Sequence, residues 1–419
     1  MLDLKQLRRD PGPVRSALAR RGDASDTRLD RVLELDARTR ALRPEVESLK
    51  AQQNAASKAI GAAKQEGRDA AEEIAAMQEV ARRVKALGQE LADADAELKA
   101  ALALLPNPPD PSAADRDTTL REEGEAGATG RDHLEVAGPM IDMEAGARVA
   151  GSRFAYLRGD LVLVELALFR WALELLAEHG FEPVVPPVLV REEALYGTGF
   201  LPDTEQQIYR LPDDDLFLVG TSEVPLASLH AGEIIEAGAL PLRYAGMSPC
   251  FRREAGAAGR DTRGILRVHQ FDKVEMFSFV EPEASADEHE LMLSLEERFL
   301  RELGIPYRVV NIGADDLGAS AAKKYDLEAW MPGQERYREV TSTSNTTDFQ
   351  ARRLDIRYRD RGPAHPRPRH VHTLNGTAVT WRHLIALLEN HQREDGSVAV
   401  PEPLQTWGAP EALRVGKAP

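Results

Sequence analysis

SPCFRREAG (248–256), a loop carrying GRDTRG (259–264), and LRVHQFDKVEMF (266–277) read together as a strand, an exposed loop and a second strand. Residues two apart on an extended strand share a face. Arg252 is therefore expected to point the same way as Glu254, and Phe271 the same way as Lys273 and Glu275. A guanidinium, an aromatic ring and carboxylates would then converge on one face of a sheet. Those are the parts that hold an acyl adenylate: a guanidinium stabilises charge on a phosphorus under in-line attack, a ring stacks on adenine, and a carboxylate pairs with an amino group. Taken singly, each has a plainer reading, the Arg–Glu pair as a surface salt bridge and the strand Phe as core.

Outward from this pair, short strands bounded by Gly and Pro alternate with loops and a few helices from Phe181 onward, and an apolar helix pattern covers 161–178. Strands without regular βαβ alternation predict an α+β fold with a mostly antiparallel sheet flanked by helices. Neither a Gly-x-x-x-x-Gly-Lys-Ser/Thr loop nor a post-strand Gly-x-Gly-x-x-Gly is present, so a P-loop or Rossmann site is not supported.

Toward the N-terminus, residues 28–105 are almost free of aromatic residues and glycine. Leu35, Leu42 and Leu49 recur every seven residues, with Val32 and Val46 between them. After a break expected near 61–68, Met77, Val84, Leu91, Leu98 and Leu105 repeat the spacing, and Val80, Leu87 and Leu102 supply a second seam. A seven-residue repeat keeps the apolar stripe on one partner as helices coil. The prediction is an antiparallel helical hairpin, a coiled coil with legs of ~35 residues and so ~50 Å long. Residues 28–99 carry 13 basic and 14 acidic side chains, a balance that leaves spacer, dimerisation coil and binding arm equally open. Pro44 falls inside the first leg and is expected to kink or loosen it. Pro106-Asn-Pro-Pro-Asp-Pro cannot continue a helix, which predicts domains at 1–110 and 111–419.

The 419 residues are 42 % hydrophobic and 29 % charged, the balance of a globular chain in water. No apolar run reaches the ~18 residues that span a bilayer, and no secretory signal opens the chain. One cysteine, Cys250, excludes an internal disulfide and a Cys-rich zinc site, and a reducing, cytoplasmic setting is expected. The net charge of −16 argues against a general nucleic-acid binder, though not against a tRNA met by a local basic surface. Lys5, Arg8, Arg9, Arg15, Arg20 and Arg21 make one such surface, for which a solvated helix face is the plainer reading.

FRREAG through HQFDKVE resembles motif 2 of the class II aminoacyl-tRNA synthetases in its seryl form. YGTGFLP (196–202) and LVGTSEVPLASLH (218–230) resemble the seryl family's serine pocket, and YREVTSTSNTTDFQARRLDIRYR (337–359) resembles its metal and ATP strand. HTLNGTAVTWRHLIALLENHQREDGSVAVPEPL (372–404) resembles motif 3. GFEPVVPPVLVREEALYGTG (180–199) resembles motif 1, with Pro187 at a dimer contact. MLDLKQLRRDP and the helical hairpin are similar to the family's N-terminal tRNA-binding arm. The resemblance spans nearly the whole chain.

The resemblance implies roles at the matching positions. Thr221, Ser222 and Glu223 would lie against serine, the first and third on one strand face, with Glu275 taking the ammonium group and Thr377 completing the pocket. Arg252, Arg253, Glu254, Val268 and Phe271 would hold ATP, with Arg252 on the α-phosphate and Phe271 on adenine. Glu339, Val340, Thr341 and Ser342 would line the same site, Glu339 and Ser342 bringing in Mg²⁺. Arg382 would hold the γ-phosphate or share charge in the transition state. Catalysis would rest on Arg252, Glu339 and Arg382, without a protein nucleophile and without zinc. The implied partners are L-serine, ATP, tRNA(Ser) with its long variable arm, tRNA(Sec) in a cell that has one, and a second copy in a homodimer.

Three positions depart from the family pattern. Trp381 stands where a small residue is expected and should reshape the back of the ATP pocket, and Thr341 and Thr343 replace smaller residues. Two other functions fit parts of the chain. An amino acid:carrier-protein ligase shares the catalytic fold but lacks the long arm, and an inactive homologue serving as an interaction protein would have broken motifs.

Overall fold

The computed structural model describes residues 1–22, 24–202, 207–255, 261, 263–359 and 367–414; Gly259, Arg260 and Thr262 of the expected GRDTRG loop lie outside them. The chain divides between Pro106 and Asn107 into two compact units.

The N-terminal unit holds α1 (Leu4–Arg9), α2 (Gly12–Ala19), α3 (Ser25–Gln65) and α4 (Ala71–Ala103). The long pair α3 and α4 run antiparallel: Arg31 pairs with Glu97 at 2.8 Å, Arg38 with Glu90 at 3.1 Å and Glu45 with Arg83 at 3.3 Å. Each seven-residue step up α3 meets a seven-residue step down α4, the signature of a heptad seam. Exposed pairs of this kind contribute little each. The apolar stripe, with Val32, Leu35, Val46 and Leu49 buried along α3 and Ala94, Leu98 and Leu102 along α4, holds the hairpin together.

One expectation changes here. The break expected near 61–68 is shorter, because α3 runs through Gly61 to Gln65. A helix-interior Gly costs only about 1 kcal/mol, and Ile60 and Ala63 pack there against Ala70, Ile74 and Met77. The turn comes at Gly67, whose φ of +71° is the left-handed stop that glycine supplies; Arg68 N–H closes it on the Ala63 carbonyl at 2.9 Å. α3 also continues through Pro44, which removes one helical N–H without ending the helix. Of the basic N-terminal residues, Arg8 is tied to buried Asp36 and Arg15 to Asp30, so they brace this unit internally.

The second unit is built on eight strands: β1 (Thr118–Glu123), β2 (Glu182–Val184), β3 (Leu242–Phe251), β4 (Gln270–Val280), β5 (Tyr307–Asn311), β6 (Lys323–Met331), β7 (Arg336–Thr347) and β8 (His372–Thr380). Their order is β1-β5-β6-β7-β8-β4-β3-β2, every pairing antiparallel except β2 with β3. The short α5 (His133–Ala137) precedes α6 (Asp160–Glu178), and α7 (Glu223–Ser228), α8 (Ser285–Glu302) and α9 (Trp381–Asn390) follow. Residues of α6, α8 and α9, among them Leu168, Phe299 and Leu384, share one apolar core with Val274, Leu327 and Val379 of the sheet. That core leaves the far sides of β4, β7 and β8 free to form a cleft.

Two irregularities shape this cleft. β6 pairs regularly with β7 up to Leu327–Thr341 and then skips Val340. β4 pairs with β8 at Val274–Val379 and next at Glu275–Thr377, skipping Ala378. An extra residue re-aims the strand locally, so consecutive residues from Glu339 to Ser342 all line the cleft, as do Thr377 and Thr380 on either side of Ala378.

Candidate active site

The cleft measures about 800 Å³ out to its mouth. β4 delivers Phe271, Lys273 and Glu275 to its floor, in the period-two alternation of an extended strand. Lys273 Nζ contacts the Glu275 carboxylate and donates to Thr221 Oγ1 at 2.7 Å, and Thr377 Oγ1 donates to Glu275 Oε2 at 3.2 Å. All four side chains are buried, so charge and hydroxyls are mutually satisfied in a dry corner.

Glu223 closes this corner. Its Oε1 accepts from Gln350 Nε2 at 2.7 Å and Asn375 Nδ2 at 3.1 Å. Burial, and then the nearby Glu275 charge, push the Glu223 carboxyl up to about 7. Thr221 and Glu223 both line the cleft, but they do not share a strand. The strand before them ends at Leu218, and Glu223 opens α7. Pro225 is compatible with that first turn, where its missing N–H goes unused.

At the other end, the Arg252 guanidinium lies over the Phe271 ring, 5.2 Å from its centroid, and Arg252 Nε donates to the Gly220 carbonyl at 3.1 Å. β3 has ended at Phe251, and Glu254 has φ +51°, so strand alternation is not what brings Arg252 and Glu254 together. Glu254 instead turns to Arg267 at 2.6 Å. Val268 forms part of the wall.

Glu339 faces Arg382 at 3.2 Å, and Arg382 also donates to the Glu339 carbonyl at 2.9 Å. Protein surrounds the Glu339 carboxylate, yet the side chain is 46 % exposed, toward the cleft. Burial works against its ionisation, but Arg382, Lys324, Arg252 and Arg267 outweigh burial and hold the carboxyl below its ordinary range. Among the described residues no three His, Cys, Asp or Glu side chains cluster as a metal site.

Trp381 is part of the wall as well, and its indole N–H donates to Glu165, whose carboxyl burial pushes up to about 7. Cys250 is fully buried in β3, where burial pushes its thiol up.

Two expected site residues do not reach the cleft. Ser222 is fully buried and donates to the Gly246 carbonyl at 3.2 Å, and Arg253 is exposed with its N–H on the Gln207 carbonyl at 2.9 Å. Each neighbours a cleft residue in sequence and points away from it. Conversely, Lys273, Asn375 and Gln350 stand at or behind the corner of Glu275 and Thr377 without having been assigned a role. Lys273 was legible from the alternation on β4, and Asn375 from its place two residues before Thr377. Gln350 had no signal, because it reaches Glu223 from a separate helix (Phe349–Leu354).

No helix among the described residues is long and apolar enough to cross a membrane. Residues 1–109 match the model of the seryl-tRNA synthetase N-terminal domain, and residues 207–391 match that of the class II tRNA synthetase core domain (G, H, P, S and T). The serine–tRNA ligase of Thermobifida fusca is 47 % identical, covering 99 % of each chain. That of Mycobacterium avium is 48 % identical over 99 % of this chain and 98 % of its own. Among solved structures, the seryl-tRNA synthetase of Pyrococcus horikoshii complexed with ATP superposes with a TM-score of 0.90 at 41 % identity, over all of both chains. The cytoplasmic serine–tRNA ligase of Naegleria fowleri with AMP gives 0.85 at 32 %, over 100 % of this chain and 99 % of that one. With both domains matched, the full length shared and the motif residues gathered in one cleft, this chain belongs to the seryl-tRNA synthetase family.

Proposed function

We propose that the chain is a serine–tRNA ligase, which forms seryl-adenylate from L-serine and ATP and passes the seryl group to the 3′ end of tRNA(Ser). The observation that carries this reading is the buried corner of Glu275, Thr377, Lys273 and Thr221, placed in the same cleft as Arg252 and Phe271. A carboxylate takes an ammonium group, and the hydroxyls beside it suit a small polar side chain. Alanine or glycine there would leave buried polar groups unpaired, a larger penalty than a missing methylene.

In this reading Phe271 stacks on adenine, with Val268 beside it. Arg252 holds the α-phosphate while a serine carboxylate oxygen attacks the α-phosphorus and the bond to pyrophosphate breaks. Arg382 takes the γ-phosphate. Positioning and charge stabilisation supply the catalysis, with no protein nucleophile. A ribose hydroxyl of the tRNA then attacks the adenylate carbonyl, and AMP leaves. Glu339 and Ser342 suit Mg²⁺, a hard ion that binds through one or two carboxylates plus substrate phosphates, and the anionic, cleft-facing Glu339 fits that donor set. When bound, the ion would neutralise phosphate charge.

The hairpin α3–α4 is the tRNA-binding arm in this reading, for tRNA(Ser) and for tRNA(Sec) in a cell that has it. The chain works as a homodimer: Val185 and Leu189, flanking Pro187 in the motif 1 stretch, and Leu163 and Leu166 of the preceding α6 leave apolar side chains exposed. The lone buried cysteine suits the cytoplasm. Charging of unfractionated tRNA with labelled serine and Mg-ATP tests the proposal. Acid-precipitable seryl-tRNA is the expected result; charging of a phosphopantetheine carrier protein in its place would overturn it and favour the carrier-protein ligase.

A further inference from the structure

His133 sits outside every motif discussed above, yet it is buried and fully engaged. Its Nδ1 lies 2.9 Å from Glu389 Oε1, and its Nε2 accepts the Ile265 N–H at 3.2 Å. A backbone N–H can only donate, so Nε2 is the acceptor and the ring proton lies on Nδ1, facing the carboxylate. Glu389, buried in the last turn of α9, also accepts the His133 N–H at 3.2 Å and the Gly333 N–H at 2.9 Å. The ring is therefore held from both sides.

What it holds is the exit of the loop that follows Arg252. Gly264 has φ +79°, and a Cβ there would come within 2.1 Å of His133 Nε2, so the loop is pressed against the imidazole. Arg263 is fastened beside it to Asp132 at 2.8 Å and Glu135 at 3.1 Å, while Asp132 caps α5. From that anchor the chain runs directly into Ile265, Leu266, Arg267 and Val268, all on the wall of the cleft. Glu389 lies on the same helix whose first turn carries Arg382.

We propose that His133, oriented by Glu389, is a positioning residue for ATP: it pins the exit of the motif 2 loop to α9, so that both walls of the nucleotide end keep one spacing. This rests on the reading of the cleft as an ATP site. His133 touches no substrate.

Serine-dependent pyrophosphate exchange on the full chain tests it, with ATP varied at saturating serine and then the reverse. His133→Leu fills the ring's volume without an acceptor, and His133→Gln keeps a carbonyl acceptor. His133→Leu is expected to raise the KM for ATP about tenfold, the scale of one buried donor left unpaired, with the KM for serine within about twofold. His133→Gln is expected to recover most of that loss. Equal shifts in both KM values, or no difference between Leu and Gln, would overturn the proposal. If His133→Leu does not fold, Glu389→Gln carries the same test, since its amide keeps a single acceptor oxygen and must set an N–H against either the His133 donors or the Gly333 N–H. There an unchanged KM for ATP overturns the proposal and a selective rise supports it. A wild-type chain lacking serine-dependent exchange would bring down the reading of the cleft itself, an outcome distinct from failure of the variants.

Discussion

Thr377 donates its hydroxyl to the Glu275 carboxylate at 3.2 Å, and the ladder between β4 and β8 sets these two residues opposite one another. Backbone pairing thus fixes the distance between a buried carboxylate, the proposed ammonium acceptor, and a hydroxyl. Glu275→Gln removes the charge but keeps the shape, and kcat/KM for serine in pyrophosphate exchange should fall about 100-fold, the range of a charged hydrogen bond. Thr377→Ala should cost about tenfold and narrow the preference over alanine. Equal losses for serine and for ATP would speak against this assignment.

Lys273 joins Glu275 to Thr221 in a corner from which water is largely excluded. Removing one partner of a buried pair leaves the other charge uncompensated. Lys273→Met should destabilise the chain by about 3 kcal/mol in urea unfolding and abolish serine binding. A loss below about 1 kcal/mol would mean that the pair is solvated in solution.

Glu223 gives a pH-dependent signal. Its carboxyl is raised from 4.5 to about 7, chiefly by burial, so the folded chain keeps a proton that the unfolded chain has released. This contribution is complete below pH 4.5 and is lost as pH rises through 7. Glu223→Gln keeps an oxygen for Gln350 and Asn375 but does not ionise. Its stability advantage over wild type should grow by about 2–3 kcal/mol between pH 5 and pH 8, at 1.36 kcal/mol per unit. Parallel pH profiles in urea would contradict this, and exchange activity should fall even as stability rises.

Replacing residues 28–105 by a short Gly-Ser linker removes the α3–α4 hairpin. Because the cleft belongs wholly to the second unit, serine-dependent exchange should stay within about threefold. tRNA charging should fall by at least about 100-fold, as expected when phosphate contacts are lost. Charging that survives the deletion would show that tRNA is held elsewhere.

Much of this site was legible because strands alternate. Phe271, Lys273 and Glu275 needed only a period of two, and the hairpin needed only a period of seven. What escaped depends on pairing partners that no local pattern reveals. The extra residues Val340 and Ala378 are bulges only with respect to β6 and β4; the first puts consecutive residues of β7 into the cleft, and the second lies between Thr377 and Thr380 of β8, which both face it. Glu254 left the expected strand through a positive φ, and Glu223 began a helix where a strand was expected. Ser222 and Arg253 came with their neighbours from the family resemblance, and here Ser222 turns to the Gly246 carbonyl while Arg253 is exposed. Gly61 looked like a hairpin tip, but tertiary packing by Ile60 and Ala63 outweighs its propensity.

The central claim is that this cleft activates serine. Exchange of labelled pyrophosphate into ATP, measured with serine, alanine, threonine and glycine in parallel, tests it most directly. The account predicts exchange with serine and at most about 1 % of that rate with the others, as a polar pocket rejecting unpaired or oversized analogues requires. Exchange supported equally by glycine or alanine would contradict it.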